Sequence, residues 1–207
     1  MQVKYLGGNG KIKKVNKLIS IDIGYSTCGI CIYDFKKEEW FTFSPKLKQF
    51  LKGYNTKNIG IPEYLLLSQK VTDFVIQELC NYTDFKESIS ISLEVPAIMM
   101  SFAVGLSMLL QTLVRNFLKY ECVHNIFLTN NRLGGYYLKR RSFTKSDIKD
   151  MLNIIVADDK KLPNEHTRDS FMACYTILVL AYRINLYPAM RSLEGSTIVP
   201  LQLEGLT

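Results

Sequence analysis

The chain has 207 residues, 47% of them apolar, with a formal net charge of +7 and five cysteines. A chain of this size and apolar content can bury its own core, and its basic excess favours a polyanionic partner, nucleic acid before membrane. It has no N-terminal apolar core of the 7–15 residues a signal peptide needs, and no uncharged apolar run of ~18 residues, so neither a secretory leader nor a membrane span is expected.

Residues 1–16 carry Gly7, Gly8 and Gly10 among Lys4, Lys11, Lys13 and Lys14. This composition predicts a flexible basic N-terminal arm, with 17–207 forming a single domain. From Leu18 the chain alternates Ile19, Ile21 and Ile23 with Ser20 and Asp22. The period of two and the β-branched residues predict a strand that holds Asp22 near its end. Gly24 and Gly29 mark a turn, and residues 29–33 return as the second arm of a hairpin. Residues 38–43 predict a third antiparallel strand. Residues 45–60 form a polar loop whose Lys46, Lys48, Lys52 and Lys57 are a minor candidate basic patch.

Pro62 followed by apolar residues at helical spacing predicts a helix over 62–81. Residues 88–94 alternate strictly between polar and apolar and end in Glu94, with Pro96 closing the strand. A strongly apolar helix follows over 101–120. It has Gly105 inside it, where close packing or close ligand approach would explain a residue that costs ~1 kcal/mol in a helix. Residues 125–129 are a short strand. Residues 130–143 are polar and bring together Tyr136, Tyr137, Lys139, Arg140 and Arg141, a set suited to phosphate contact and base stacking. Thr144 to Asp147 has the pattern of a helix start, a helix to about 155 follows, and the last long helix covers 167–184. The tail from Tyr187 has no regular pattern. The order of elements predicts an α/β fold: a mixed five-stranded sheet, its first three strands antiparallel, flanked by helices.

Cys28 and Cys31 have CxxC spacing, but no second pair follows and only His124 and His166 remain as further ligands, which argues against zinc. The cysteines in apolar runs are those of a reducing, intracellular compartment.

Three acidic residues stand out by position. Asp22 and Glu94 end strands, and Asp169 opens the last helix three residues after His166, so that histidine and aspartate share a helix face. Strand ends and helix starts converge at one rim of such a sheet. Three carboxylates there repel one another unless a cation lies between them, and hard oxygen donors suit Mg²⁺ or Mn²⁺.

The stretch from Asp22 through Gly24 to Gly29 and Ile30 resembles the first motif of RuvC-type Holliday junction resolvases, in the ribonuclease H-like superfamily. Leu93-Glu94-Val95-Pro96 resembles the second motif. His166-Thr167-Arg168-Asp169-Ser170-Phe171 resembles the third, and the three come in family order across residues 17 to 185. The length, the charge and the Asp169-Ser170-Phe171 run are most similar to the poxvirus-type branch. The resemblance implies a ribonuclease H-like fold and a crossover junction endonuclease. Its catalytic and metal-binding residues would be Asp22, Glu94, His166 and Asp169, holding two Mg²⁺ or Mn²⁺ ions. Lys139, Arg140, Arg141 and Tyr136 would contact DNA. It also implies a homodimer on branched DNA, with the 101–120 helix contributing to the dimer, and no small-molecule cofactor. A viral member of this branch would work in the host-cell cytoplasm. His166 stands where many members have aspartate, and Glu165 or Asp159 are the nearby alternatives. Two other readings share these features: an actin-like or sugar-kinase-like ATPase, whose second phosphate loop would have to be Gly134-Gly135, and a non-catalytic nucleic-acid binder.

Overall fold

The structure, a computed structural model, describes residues 2–6, 11–54, 59–95, 103–130, 137–138, 144–156, 162–187 and 197–201. The Ile/Ser alternation forms a strand whose two neighbours run in opposite senses. On one side it returns on itself in a meander: β2 (Lys17–Ile23), β3 (Cys28–Asp34) and β4 (Glu39–Phe43) pair antiparallel, Asp22 opposite Gly29. On its other side lies β5 (Ile89–Val95), parallel, and beyond it β6 (Val123–Asn130), also parallel. The linking helices are α1 (Ile61–Cys80) before β5 and α2 (Ala103–Phe117) between β5 and β6. Then come α3 (Lys145–Ile155) and α4 (Glu165–Leu180).

The expected five strands are present, with the first three antiparallel, but the sheet has seven. The chain's ends supply the other two. β1 (Gln2–Leu6) pairs antiparallel with β6, and β7 (Thr197–Leu201) pairs parallel with β1, for an order β4-β3-β2-β5-β6-β1-β7. The predicted basic arm is therefore partly sheet, and the tail expected to be irregular contains a strand. Val3 and Tyr5 are buried, giving this short strand an apolar face that outweighs its glycine-rich flank. Lys13 is held by the Asn125 side chain. The Asn125 amide accepts from the Lys13 N–H (3.0 Å) and the Tyr5 hydroxyl (3.0 Å), and donates to the Lys13 carbonyl (2.8 Å).

The last two helices each start with a reciprocal lock. At α3 the Thr144 side chain accepts the Asp147 N–H while Asp147 accepts the Thr144 N–H (2.7 Å). At α4 the Asn164 side chain accepts the Thr167 N–H (2.9 Å) and Thr167 Oγ1 accepts the Asn164 N–H (3.1 Å). These reciprocal bonds satisfy backbone donors that a helix end leaves open.

The sheet is covered on both faces. Ile19, Ile21, Ile30, Ile32, Ile91 and Leu93 pack against Leu67, Val71 and Val75 of α1 and Leu109, Leu113 and Phe117 of α2. Leu18, Cys31, Tyr33 and Phe127 pack against Phe171, Cys174, Tyr175 and Leu178 of α4. Polar/apolar alternation in β5 thus separates two interiors rather than core from water, and Ser90 and Ser92 are fully buried. Cys28 and Cys31 lie three apart on β3 and belong to opposite faces, so they cannot share a metal, and all five cysteines are free. At Gly105 any side chain would collide with the Tyr64 ring, and the Tyr25 hydroxyl donates to the Gly105 carbonyl (2.6 Å). Close packing explains this glycine. Among the described residues, no helix is long and apolar enough to cross a membrane.

Candidate metal centre

β2 and β5 run parallel, with Ile21 opposite Leu93, so Asp22 and Glu94 end neighbouring strands at the same rim. Both share the sheet face that α4 covers. The first turns of α4 then bring Asp169 over them. One ligand oxygen from each of Asp22, Glu94 and Asp169 lies within 4.8 Å of the others. The close approach depends on Gly29, which pairs with Asp22 on β3. A side chain at Gly29 would occupy the same space as the His166 carbonyl on α4. Its glycine is a requirement of packing at the site, where the helix backbone rests on the strand.

His166 lies beside the three carboxylates rather than among them. Its Nδ1 is 2.6 Å from Asp22 Oδ2 and its Nε2 is 2.7 Å from Thr27 Oγ1. Glu165 Oε1 is farther from Nε2, at 3.7 Å, and Glu165 is ion-paired with Lys145 at the start of α3. That pair holds the Glu165 carboxyl below its usual range. Asp159 lies outside the described residues.

The electrostatics of the cluster are those of repelling carboxylates in a desolvated place. Burial, with Asp22 and Asp169 adding their charges, pushes Glu94 up to about 9. Burial and Asp22 push Asp169 up to about 6, against the opposing pull of His166. The hydrogen bond to Asp22 raises His166, more than burial lowers it. Each shift says that positive charge is wanted here. A divalent cation would supply it, and the oxygen donor set fits Mg²⁺ or Mn²⁺.

No protein-family model matches this sequence, and neither does any curated protein. Among solved structures the chain is similar to the Thermus thermophilus RuvC structure, with 10% identity and a TM-score of 0.52 over 79% of this chain and 95% of that one. The chain has a RuvC-like, ribonuclease H-like fold. It is also similar to T. thermophilus RuvC in complex with Holliday junction substrate (9% identity, TM-score 0.49, 79% and 94% coverage). A third similar structure is an Aquifex aeolicus member of the Ppx/GppA family (12% identity, TM-score 0.28, 60% and 38% coverage). On the RuvC-like sheet, Asp22, Glu94 and Asp169 stand on the three elements where the sequence motifs placed them.

The other expected site residues fare differently. Tyr136, Lys139, Arg140 and Arg141 lie outside the described residues, as do Lys57 and Gly134-Gly135. Tyr137, grouped with Tyr136 as a stacking residue, is 4% exposed, its hydroxyl 2.6 Å from Thr176 Oγ1 of α4. It is a core residue, because its ring has an apolar place to fill against Tyr175 and a buried hydroxyl to meet its own. Sequence reading missed Thr27 and Lys145. Thr27 lies within the first motif's stretch, but nothing in the local pattern singles it out. Lys145 is twenty residues from Glu165, a spacing that carries no periodic signal.

Proposed function

We propose that this chain is a divalent-metal-dependent endodeoxyribonuclease that resolves four-way DNA junctions, acting as a homodimer with one site per protomer. The observation that carries this reading is the Asp22–Glu94–Asp169 cluster at the strand-end rim of a RuvC-like sheet. A pair of Mg²⁺ or Mn²⁺ ions, when bound, would supply water activation and charge stabilisation for phosphodiester hydrolysis. Asp22, Glu94 and Asp169 would hold the cations. His166, whose Nδ1 lies 2.6 Å from Asp22 Oδ2, joins them at the site. The rim is open enough for a phosphodiester to approach: the side chains of Asp22 and His166 keep 16% and 24% of their surface in solvent. Lys139, Arg140, Arg141 and Tyr136 are the proposed DNA-contacting set. They supply the sequence-independent phosphate attraction a structure-selective enzyme needs. A two-fold pair of sites suits a junction, which must be cut on two symmetry-related strands. The poxvirus-type branch is supported by the sequence resemblance alone.

The test is cleavage of an end-labelled four-way junction in Mg²⁺, in Mn²⁺ and in EDTA, beside a linear duplex of the same sequence and an ATP-hydrolysis assay. Paired nicks in the junction, dependent on metal, are expected. ATP turnover without junction cleavage would replace this reading with the ATPase one, and junction binding without cleavage in either metal would make the chain a non-catalytic binder.

A further inference from the structure

The end of the sheet opposite the metal centre carries an aromatic surface. β5 and β6 both start there, with Ile89 opposite Val123, and the run of β5 puts it roughly 20 Å from Glu94. The residues that follow α1 and α2 meet at this end and form an open cleft of about 470 Å³, whose lining includes Tyr82, Thr83, Asp84, Phe85 and Tyr120. The Phe85 and Tyr120 rings lie 4.6 Å apart between centroids. Tyr82 stacks on Phe43 of β4 at 4.3 Å and meets Phe41 at 5.3 Å. Tyr82 and Phe41 remain 43% and 38% exposed. The rings thus make a continuous strip from the edge strand into the cleft, and exposed apolar surface of this kind marks a binding face.

Asp84 is the charged side chain in the cleft. Its Oδ1 accepts the Lys86 N–H (3.0 Å), and none of the ion pairs among the described residues engages it. A carboxylate has about four acceptor positions, so most of its capacity is open. Thr83, its neighbour, is 4% exposed, and its hydroxyl has no hydrogen-bond partner among the described residues.

Aromatic faces beside an open carboxylate select one kind of group. A guanidinium stacks on such faces by cation–π attraction, offers paired N–H donors in the plane a carboxylate accepts, and gives up its hydration more easily than an ammonium. Nucleic acid fits poorly, because Asp84 meets phosphate with like charge. A second copy of the chain fits poorly too. Two chains joined at this end would turn their metal centres away from each other and from a common junction.

We propose that this cleft docks an arginine-bearing segment of a partner protein, the guanidinium stacked on Tyr82 and paired with Asp84, and an apolar neighbour laid on Phe41 and Phe43. The partner is held at the end away from the metal centre, which leaves the rim free for DNA. The inference goes beyond the nuclease reading, and only the exclusion of a second copy rests on it.

The test is a titration of the full chain with N-acetyl-arginine amide, followed in tyrosine-ring ¹H–¹³C spectra. Mg²⁺ is present throughout, so that the acidic rim does not compete for the cation. Tyr82→Phe and Tyr120→Phe assign the two rings. Saturable shifts of those rings are expected, and the neutral isostere N-acetyl-citrulline amide should give none. Asp84→Asn keeps an oxygen for the Lys86 N–H and should weaken binding about threefold, as loss of an exposed ion pair does. Tyr82→Leu should weaken it about threefold by removing the π face. The peptide acetyl-Gly-Leu-Arg-Leu-Gly-amide should bind about tenfold more tightly than the single residue, through its leucines on Phe41 and Phe43. Shifts that do not saturate, equal binding of citrulline, or an unchanged affinity in Asp84→Asn overturns the proposal. No gain from the leucines would reduce the cleft to a site for a free cation, which also overturns it. Stronger shifts of the same rings with a short oligothymidylate would put nucleic acid in place of the protein partner. None of these readouts involves cleavage, so failure of the nuclease reading would leave them unchanged.

Discussion

The two faces of β2 differ in what they spend their residues on. Ile19 and Ile21 point into an interior made of aliphatic and aromatic side chains from α1 and α2. Leu18, Ser20 and Asp22 point to the α4 side, where the same strand runs from core to unpartnered hydroxyl to carboxylate over five residues. β5 repeats the pattern, with Ile89, Ile91 and Leu93 on one face and Ser90, Ser92 and Glu94 on the other. One face of the sheet anchors the fold, while the other gives up apolar burial towards the rim in exchange for a charged site. Stability and chemistry are thus separated by strand alternation, and substitutions on the two faces should separate them too.

The largest effect should come from the charged end. Asp22→Asn removes a proposed cation ligand, so junction cleavage should fall by more than the roughly 100-fold that loss of an outer-shell partner costs. Junction binding should be nearly unchanged, and the metal-free protein should melt no lower than wild type, because a repelling charge is gone. Cleavage near the wild-type rate would remove Asp22 from the site. On the opposite face, Leu113→Ala should cost about 2–5 kcal/mol in chemical denaturation, the usual result of emptying a buried leucine site. Its cleavage rate per folded molecule should remain that of wild type. A rate loss in proportion to stability would mean that the faces are not independent.

The pH dependence sharpens the contrast. Folding raises the pKa of Glu94 from 4.5 to about 9 and that of Asp169 from 3.8 to about 6, and it raises His166 as well. A group raised by folding stabilises the fold when protonated. That contribution is complete below the unfolded pKa and is lost as pH rises through the folded one. Metal-free protein should therefore lose melting temperature from about pH 5 to about pH 9, and Mg²⁺ should restore more of it at the upper end. The measurement is a set of melts with EDTA or Mg²⁺ across that range. Equal Mg²⁺ stabilisation at both ends would show that the cluster does not exchange protons for a cation.

Much of this was legible in advance for physical reasons. β2 and β5 declare themselves because period-two alternation is local, and Asp22, Glu94 and Asp169 could be grouped because strand ends and helix starts meet at one rim. What stayed hidden depends on distant partners. β1 and β7 are five-residue strands, too short for alternation to declare them, and their pairing partners lie far along the chain: β6 and β7 for β1, and β1 for β7. Tyr137 looked like a surface aromatic because its sequence neighbours are basic, but its place is set by Thr176, 39 residues on. The role of His166 was open for the same reason: both of its ring partners lie about 140 residues earlier, in the hairpin.

The smallest expected effect tests why the α4 face is polar below the site. Ser20 and Ser92 are opposite each other in register, fully buried, and their hydroxyls have no hydrogen-bond partner. Such a group costs about 1–3 kcal/mol when desolvated unmet. Their value is then in size rather than polarity. α4 crosses β2, β3 and β5 with small residues of its own, Ser170 and Ala173, both buried. Small side chains on both sides let the helix lie close enough to bring Asp169 to Asp22 and Glu94. Ser92→Ala keeps that spacing and removes the unmet hydroxyl, so it should stabilise the protein by about 1 kcal/mol with Mn²⁺ affinity unchanged. Ser92→Val adds volume under the helix, so it should destabilise by about 1–3 kcal/mol and weaken Mn²⁺ binding as Asp169 is lifted away. If the valine variant binds Mn²⁺ as tightly as wild type, helix spacing is not what these serines provide. If the alanine variant is the less stable, the hydroxyl has a partner in solution and the polar face is hydrogen-bonded to its base.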